Sequence, residues 1–217
     1  MEIFTIGHSN HSIETFITLL QQHGVTALAD VRSHPYSRYL PHFSQSPLKS
    51  ALVNAGISYV FLGRELGARP SDLTCYVDGK AVYAKIASTP QFADGIQRIL
   101  KGAENYKIAL MCAEKDPITC HRAILICHEL RNFNLRINHI LTNGQLEPHE
   151  VLEERLLGLH QLQPPELPKQ IQLSLFDNIA LPEPSTMPYS REESLQKAYH
   201  QQGEQIAYVE KTENKHE

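Results

Sequence analysis

The chain has no tryptophan and only four cysteines in 217 residues, carries a formal net charge of -4, and contains no apolar run of membrane-spanning length. Each shortage excludes something. A membrane span needs about 18 to 20 consecutive apolar residues, and Met1 to Ile6 shows no basic stretch leading into an apolar one, as a secretory leader would. A cytoplasmic protein with no membrane partner is therefore expected. Four cysteines (Cys75, Cys112, Cys120, Cys127) are too few to staple a chain of this size, so they are expected to be thiols free for catalysis, metal binding or packing. The negative charge excludes a broad basic surface, so any nucleic-acid contact must come from a local basic patch. A Gly-rich phosphate loop with its lysine is also missing, which argues against a nucleoside triphosphatase.

What remains is an apolar fraction of 41%, enough for one core of ordinary size. Ile3 to Ile6 reads as a buried strand. Ser12 is placed to cap a helix carrying Ile13, Phe16, Ile17 and Leu20 at helical spacing, and Gly24 suits its end. Val25 to Val31 reads as a second strand, Ser46-Pro47 opens a helix closed by Gly56, and Ile57 to Leu62 is a third strand. Residues 63–82 hold glycines, a proline and scattered polar groups, the composition of a long functional loop. Thr89-Pro90 opens a helix through Phe92, Ile96, Ile99 and Leu100. Ile108 to Cys112 is a fourth strand, Pro117 to about Arg131 a helix, Arg136 to Leu141 a fifth strand, and a last helix lies near Glu147 to Leu159. The alternation predicts an α/β fold: a single doubly wound, mostly parallel sheet with helices on both faces. That domain is expected to span residues 1–160. Pro164-Pro165 and Pro168 begin a stiff linker, and residues 161–217 form an extended tail in which Arg191 to Val209 has helical character but little apolar surface to anchor it.

In such sheets ligands bind beyond the carboxyl ends of the strands. If the first and fourth strands are neighbours, His8 and Ser9 meet Cys112 and Glu114 there, with Gly7 among the expected ligand-binding residues, while Asp30, Arg32 and Arg38 arrive from the second strand. Cys120, His121 and Arg122 open the following helix, where a thiolate is stabilised by the helix dipole and a neighbouring cation. Three chemistries fit. A Cys112 or Cys120 nucleophile would use His121 or His8 as proton acceptor and arginines as anion holders. Alternatively Cys112, Cys120 and a histidine hold zinc, although seven intervening residues without a second close pair is a weak zinc spacing, and no metal is assigned on it. Or the arginines and helix N–H groups simply bind a phosphate. Asp30 and Glu114 are candidate acid and base, with neutralisation of Arg32 and Arg122 as the structural alternative. No cofactor is indicated.

Four blocks carry a resemblance: Ile6-Gly7-His8-Ser9 with Phe16; Asp30-Val31-Arg32-Ser33 with Pro35 and Ser37-Arg38; Leu62-Gly63-Arg64-Glu65-Leu66-Gly67; and Cys112-Ala113-Glu114 with Cys120-His121-Arg122. In this order, over roughly the first 145 residues, they resemble the signature blocks of the family catalogued as domain of unknown function 488 (DUF488). The resemblance implies an α/β sandwich and a shared site that includes Glu65, and carries no established reaction.

In the tail, Gln172-Leu173-Ser174-Leu175-Phe176-Asp177 resembles the pentapeptide with which bacterial polymerases and repair proteins dock on the DNA sliding clamp. Leu175 and Phe176 would fill an apolar pocket, and Gln172 would make polar contacts at its rim. The alternative is that Leu173, Leu175 and Phe176 fold back on the domain. Together these features lead to an expected enzyme of DNA or nucleotide metabolism that acts on a phosphorylated substrate, a hydrolase or transferase recruited to the clamp. The competing classes are a non-catalytic nucleotide- or DNA-sensing adaptor and a cysteine-based sulfur or redox enzyme.

Overall fold

The structure, a computed structural model, describes residues 1–163 and 190–210. The clamp-like segment 172–176 lies outside the described residues. Strands β1 (Glu2–Gly7) and β2 (Ala27–Asp30) are joined by α1 (Ile13–Gln22), whose first turn is capped by Ser12 Oγ accepting from Thr15 N at 3.2 Å. Gly24 follows at φ 65°, the left-handed conformation that glycine reaches without a Cβ clash. Next come α2 (Gln45–Asn54), β3 (Ser58–Phe61), the one-turn α3 (Gly63–Leu66), a small hairpin of β4 (Tyr76–Val77) and β5 (Lys80–Ala81), α4 (Tyr83–Ala87) and α5 (Pro90–Ala103). The chain continues through β6 (Ile108–Cys112), a π-helical stretch Arg122–Cys127 running into α6 (His128–Leu130), β7 (Arg136–Ile140), β8 (Leu146–Pro148), α7 (His149–Leu159) and α8 (Arg191–Ile206).

The main sheet has the order β3-β2-β6-β1-β7-β8, parallel throughout except for β8 at one edge. Alternate residues along the inner strands feed two cores. Phe4, Ile6, Leu28 and Met111 pack under α1 and α2 with Phe16, Leu20, Leu48 and Leu52. Ile3, Ala29, Leu110 and Cys112 pack on the other face with Phe92, Ile96 and Ile99 of α5 and Leu125 and Ile126 of the π-helical stretch. Each fully buried Leu, Ile or Phe contributes about 1.5–3 kcal/mol, so this two-faced burial explains why the inner strands are near-continuous apolar runs.

The order differs from the common doubly wound arrangement, in which the first strand is central and flanked by the second and fourth. Here β6 is inserted between β1 and β2, so Gly7 pairs with Cys112 on one side and Asp30 with Met111 on the other. This places Cys112 at the middle of three strand ends.

The segment read as one helix from Pro117 to Arg131 is interrupted. A 3₁₀ turn Pro117–Thr119 ends at Cys120, whose backbone is extended (φ -131°, ψ 138°), and the π-helical stretch starts two residues later. Arg122 N donates to Cys120 Sγ at 3.5 Å, so the thiol takes the place a capping oxygen would fill.

The expectation that 191–209 lacks an anchor is corrected. Helix α8 has a full capping box, with Ser190 and Glu193 bonding each other's backbone, and it buries Leu195, Ala198 and Tyr199 against Ile118, Ile124, Leu156 and Leu157. Four apolar positions, these three and Ile206, sit in a polar sequence. Polar partners do the rest: Gln202 Nε2 donates to Ile118 O at 2.8 Å, and Arg131 and Arg191 pair with Glu192 and Glu154.

A buried donor chain links this helix to the centre of the sheet. Arg122 Nε reaches Thr5 Oγ1 (3.4 Å), and Thr5 Oγ1 reaches His139 Nδ1 (2.8 Å). His139 Nε2 then reaches His149 Nδ1 (3.0 Å), His149 Nε2 reaches Tyr199 OH (2.9 Å), and the hydroxyl donates to Glu153 Oε1 (3.2 Å). One proton per link satisfies every step if both imidazoles are neutral with hydrogen on Nε2. Burial agrees with this, holding His139 well below the usual range and His149 at about 3. Unfolded, such a histidine binds a proton below about 6.5. Because the folded His149 does not, stability falls as pH drops from 6.5 toward 3, by up to about 1.4 kcal/mol per pH unit. His149→Gln removes this titration, so the stability gap between wild type and variant in urea melts is expected to shrink from pH 7 to pH 4.5. A gap independent of pH would contradict the neutral chain.

Candidate active site

Three strand ends and one loop build the site. His8 N donates to Cys112 O (2.8 Å), Ser9 N to Ala113 O (3.0 Å), and Val31 N to Met111 O (3.1 Å), so pairing continues past the regular strands and clamps residues 111–113 from both sides. The approach is close enough that a Cβ on Gly7 would lie 1.8 Å from Glu114 O, which only glycine avoids. Arg122, fully buried, donates from Nη1 to Glu114 O (2.8 Å) and from Nη2 to Lys115 O (3.3 Å), fixing the loop that carries Glu114.

Beyond the strand ends lies a cavity of about 370 Å³ lined by Cys112, Glu114 and His121 together with His8, Arg32 and Arg69. The reactive groups beside it crowd together. Cys112 Sγ is 3.6 Å and Cys120 Sγ 3.9 Å from His121 Nδ1, and Cys120 Sγ lies within hydrogen-bond reach of Glu114 Oε2 at 2.9 Å. The far nitrogen of the same ring, Nε2, meets Val31 O at 3.1 Å, which puts a hydrogen there, so in the neutral ring Nδ1 carries the lone pair facing both sulfurs.

Electrostatics separates the two thiols. The hydrogen bond with Cys120, and then burial, raise Cys112 well above the usual thiol range. Burial opposes ionisation of Cys120, but the hydrogen bond from Cys112 and the charge of Arg122 outweigh it and hold this thiol well below. For His121, the hydrogen bond and charge of Cys120 overcome burial and raise it. Desolvation in the cleft raises Glu114, while burial pushes His8 down to about 4, so that His8 is neutral at pH 7 and stacks on Phe43 at 4.3 Å. Cys120, the thiol held low, is 1% exposed, and Cys112, the thiol that lines the cavity, is the one held above the usual range, a poor arrangement for direct nucleophilic attack.

The remaining sequence candidates divide. Arg32 lines the cavity, but its Nε and Nη2 are held by Asp30 at 2.9 and 2.7 Å. Asp30 is fully buried and also accepts from Tyr59 OH (2.8 Å), so its carboxylate orients Arg32. Ser9 sits at φ 47° and shapes the turn after His8. Arg38 is exposed and is not among the lining residues, and Glu65 on α3 pairs with Arg98 of α5. Arg122 spends its guanidinium on backbone carbonyls and supports the loop from beneath. The sequence reading missed Arg69 and Tyr208. Arg69 stands 4.3 Å over the Tyr208 ring, and Tyr208 O accepts from Ala81 N at 2.8 Å, so the chain after α8 closes one wall of the cavity. The loop character of 63–82 was the available signal for Arg69; a tail position gave none for Tyr208.

A parallel α/β domain with charged, thiol and carboxylate groups converging beyond its strand ends has the layout of a ligand-binding or catalytic domain. The family model described as domain of unknown function DUF488 matches residues 12–128, and the chain belongs to that family. The match spans Arg32, Arg69 and the whole Cys112–Arg122 cluster, whereas His8 precedes it and Tyr208 lies beyond it. No curated protein and no solved structure matches the chain.

Proposed function

We propose that this cleft is the active site of an enzyme of nucleotide or DNA metabolism that hydrolyses a phosphorylated substrate. The observation that carries the reading is the convergence of Arg32, Arg69 and His8 around one cavity that Glu114 also lines. Arg32 arrives already oriented by Asp30, and that fork leaves Nη1 outside it, so an anion meets a fixed donor at little entropic cost. Arg69 offers a second cation on the opposite loop. Glu114, whose carboxyl is raised by desolvation, lines the same cavity as the arginines and is the group proposed to move the proton. In the step envisaged, a water oxygen bonds to the substrate's electrophilic centre as the bond to the leaving group breaks. Glu114 takes one proton from the water and returns it to the leaving group.

Recruitment to the sliding clamp is proposed from the pattern Gln172, Leu173, Leu175 and Phe176 alone. A peptide of residues 165–180 that fails to bind purified clamp in calorimetric titration removes that part. The substrate reading is tested by titrating the intact chain with inorganic pyrophosphate and with a 5′-nucleoside monophosphate. Binding is expected, weakened about 10- to 100-fold in Arg69→Ala, the loss of one hydrogen bond to a charged group. Equal affinity in the variant, or no binding by the wild type, contradicts it.

A further inference from the structure

We propose that Cys112 Sγ, Cys120 Sγ and His121 Nδ1 form a binding site for one zinc-class divalent cation, with a fourth coordination position opening to the cleft beside Glu114. The inference deepens the hydrolase reading and rests on it only for the role of the ion, not for its binding. The three ligand atoms lie within 4.8 Å of one another. Tetrahedral zinc, with Zn–S about 2.3 Å and Zn–N about 2.0–2.1 Å, separates a sulfur from a nitrogen ligand by about 3.6 Å. The two sulfurs here stand 3.6 and 3.9 Å from Nδ1, so both sulfur–nitrogen separations match within a few tenths of an ångström.

Independent features of the surroundings point the same way. Metal-binding histidines characteristically donate their other ring N–H to a carbonyl or carboxylate, and His121 Nε2 does so to Val31 O. Arg122 N points at Cys120 Sγ, the kind of N–H···S bond that steadies a coordinating thiolate. Two thiolates neutralise a divalent charge, so the buried assembly carries no net charge of its own. The ligands also divide by access. Cys120 lies behind, while Cys112 and His121 line the cavity, which directs the open position at substrate and solvent. Three protein ligands and one open position are the pattern of a catalytic site, and soft sulfur with imidazole selects zinc over magnesium or calcium. Glu114, whose Oε2 lies 2.9 Å from Cys120 Sγ, is placed to take a proton from a water at that position.

Binding replaces protons: the ion takes two thiolates and a neutral imidazole, and about two protons leave, one from Cys112 and one from whichever of Cys120 and His121 holds it. Titrating the metal-free intact chain with cobalt(II) is expected to give one equivalent of binding. Sulfur-to-cobalt absorption should appear in the near ultraviolet, about two protons should be released per ion, and zinc should displace the cobalt. Cys112→Ser and Cys120→Ser are each expected to weaken binding at least about 100-fold, beyond what changes around the ligands cost, whereas Cys127→Ser, a buried helical thiol outside the trio, should leave it unchanged. Should the ligand variants misfold, X-ray absorption of the wild-type cobalt complex decides: two sulfurs and one imidazole nitrogen support the site. A folded wild-type chain with no sulfur-to-cobalt band, or a double cysteine variant of undiminished affinity, overturns it. The wild-type chain, titrated with cobalt(II) and with pyrophosphate in turn, separates the two readings. Metal binding without pyrophosphate binding sinks the substrate reading alone, and pyrophosphate binding without metal sinks this inference alone.

Discussion

Arg122→Met is expected to lower the stability of the chain by about 3–5 kcal/mol, the range found when one member of a buried charged arrangement is removed. The side chain is fully buried, yet its cation does not sit in a carboxylate fork: it donates to Glu114 O, Lys115 O and Thr5 Oγ1. Methionine fills much of the volume and supplies no donor. Two carbonyls then lose their partners at about 1–3 kcal/mol each, and the lowered Cys120 thiol loses the neighbouring positive charge. Arg122→Lys keeps the charge but not the fork, so it should recover only part of the loss. Urea melts measure both variants. A loss under about 1 kcal/mol for Arg122→Met would show that the 114–115 loop is held by something else.

Ending the chain after Gln161 is expected to cost more than about 5 kcal/mol, from the large-to-small scale for a buried leucine and a buried aromatic. The truncation removes Leu195, Ala198 and Tyr199 from the face made by Ile118, Ile124, Leu156 and Leu157. It also leaves His149 Nε2 and Ile118 O without the groups that meet them in the intact chain. Near the site it deletes Ile206 and Tyr208 from the cavity wall, so pyrophosphate binding should fall as well. Tyr208→Ala in the full chain distinguishes the two effects. It should weaken binding, since Arg69 loses the ring beneath it, while the urea midpoint stays within about 1 kcal/mol of wild type, as half-exposed positions usually do. A truncated chain with a wild-type midpoint would show that α8 is an appendage, as its polar sequence suggested.

The contrast between α1 and α8 shows what could be read in advance. Helix α1 carries its own instructions: Ser12 to cap, Phe16 and Leu20 to bury, Gly24 to stop. Helix α8 also carries a legible cap, but its three anchoring residues acquire meaning only from a groove assembled by Ile118, Ile124 and α7, more than thirty residues away in sequence. The inner strands β1, β2 and β6 were legible for a similarly local reason, because burial on both faces demands apolar runs, whereas the short β4, β5 and β8 were not read. The strand order was not legible, since nothing in β6 announces that it inserts between β1 and β2; yet that insertion is what brings His8 and Arg32 to opposite sides of Cys112.

Among the site residues, the Cys112–Arg122 block was legible because so many chemically capable side chains rarely fall so close together. Their roles were not. Spacing alone made Cys112 and Cys120 a weak metal pair, because seven intervening residues say nothing about a loop that folds both sulfurs onto one imidazole nitrogen. Asp30 was read as a candidate acid or base with neutralisation of Arg32 as the alternative, and Arg122 as an anion holder; Asp30 pairs with Arg32, and Arg122 donates to the carbonyls of the Glu114 loop. Arg69 was hidden in a loop of permissive composition, and Tyr208 in a segment whose return to the domain no local pattern signals.

The central claim is that distant segments form one substrate cleft at the three strand ends. Amide NMR shifts of the intact chain, followed during titration with a 5′-nucleoside monophosphate, test it most directly. Residues 7–9, 32–34, 68–69 and 113–114 are expected to move together along a single binding curve. Shifts confined to one of these segments, or gathered on the opposite end of the sheet around β1's start and Arg136, would contradict it.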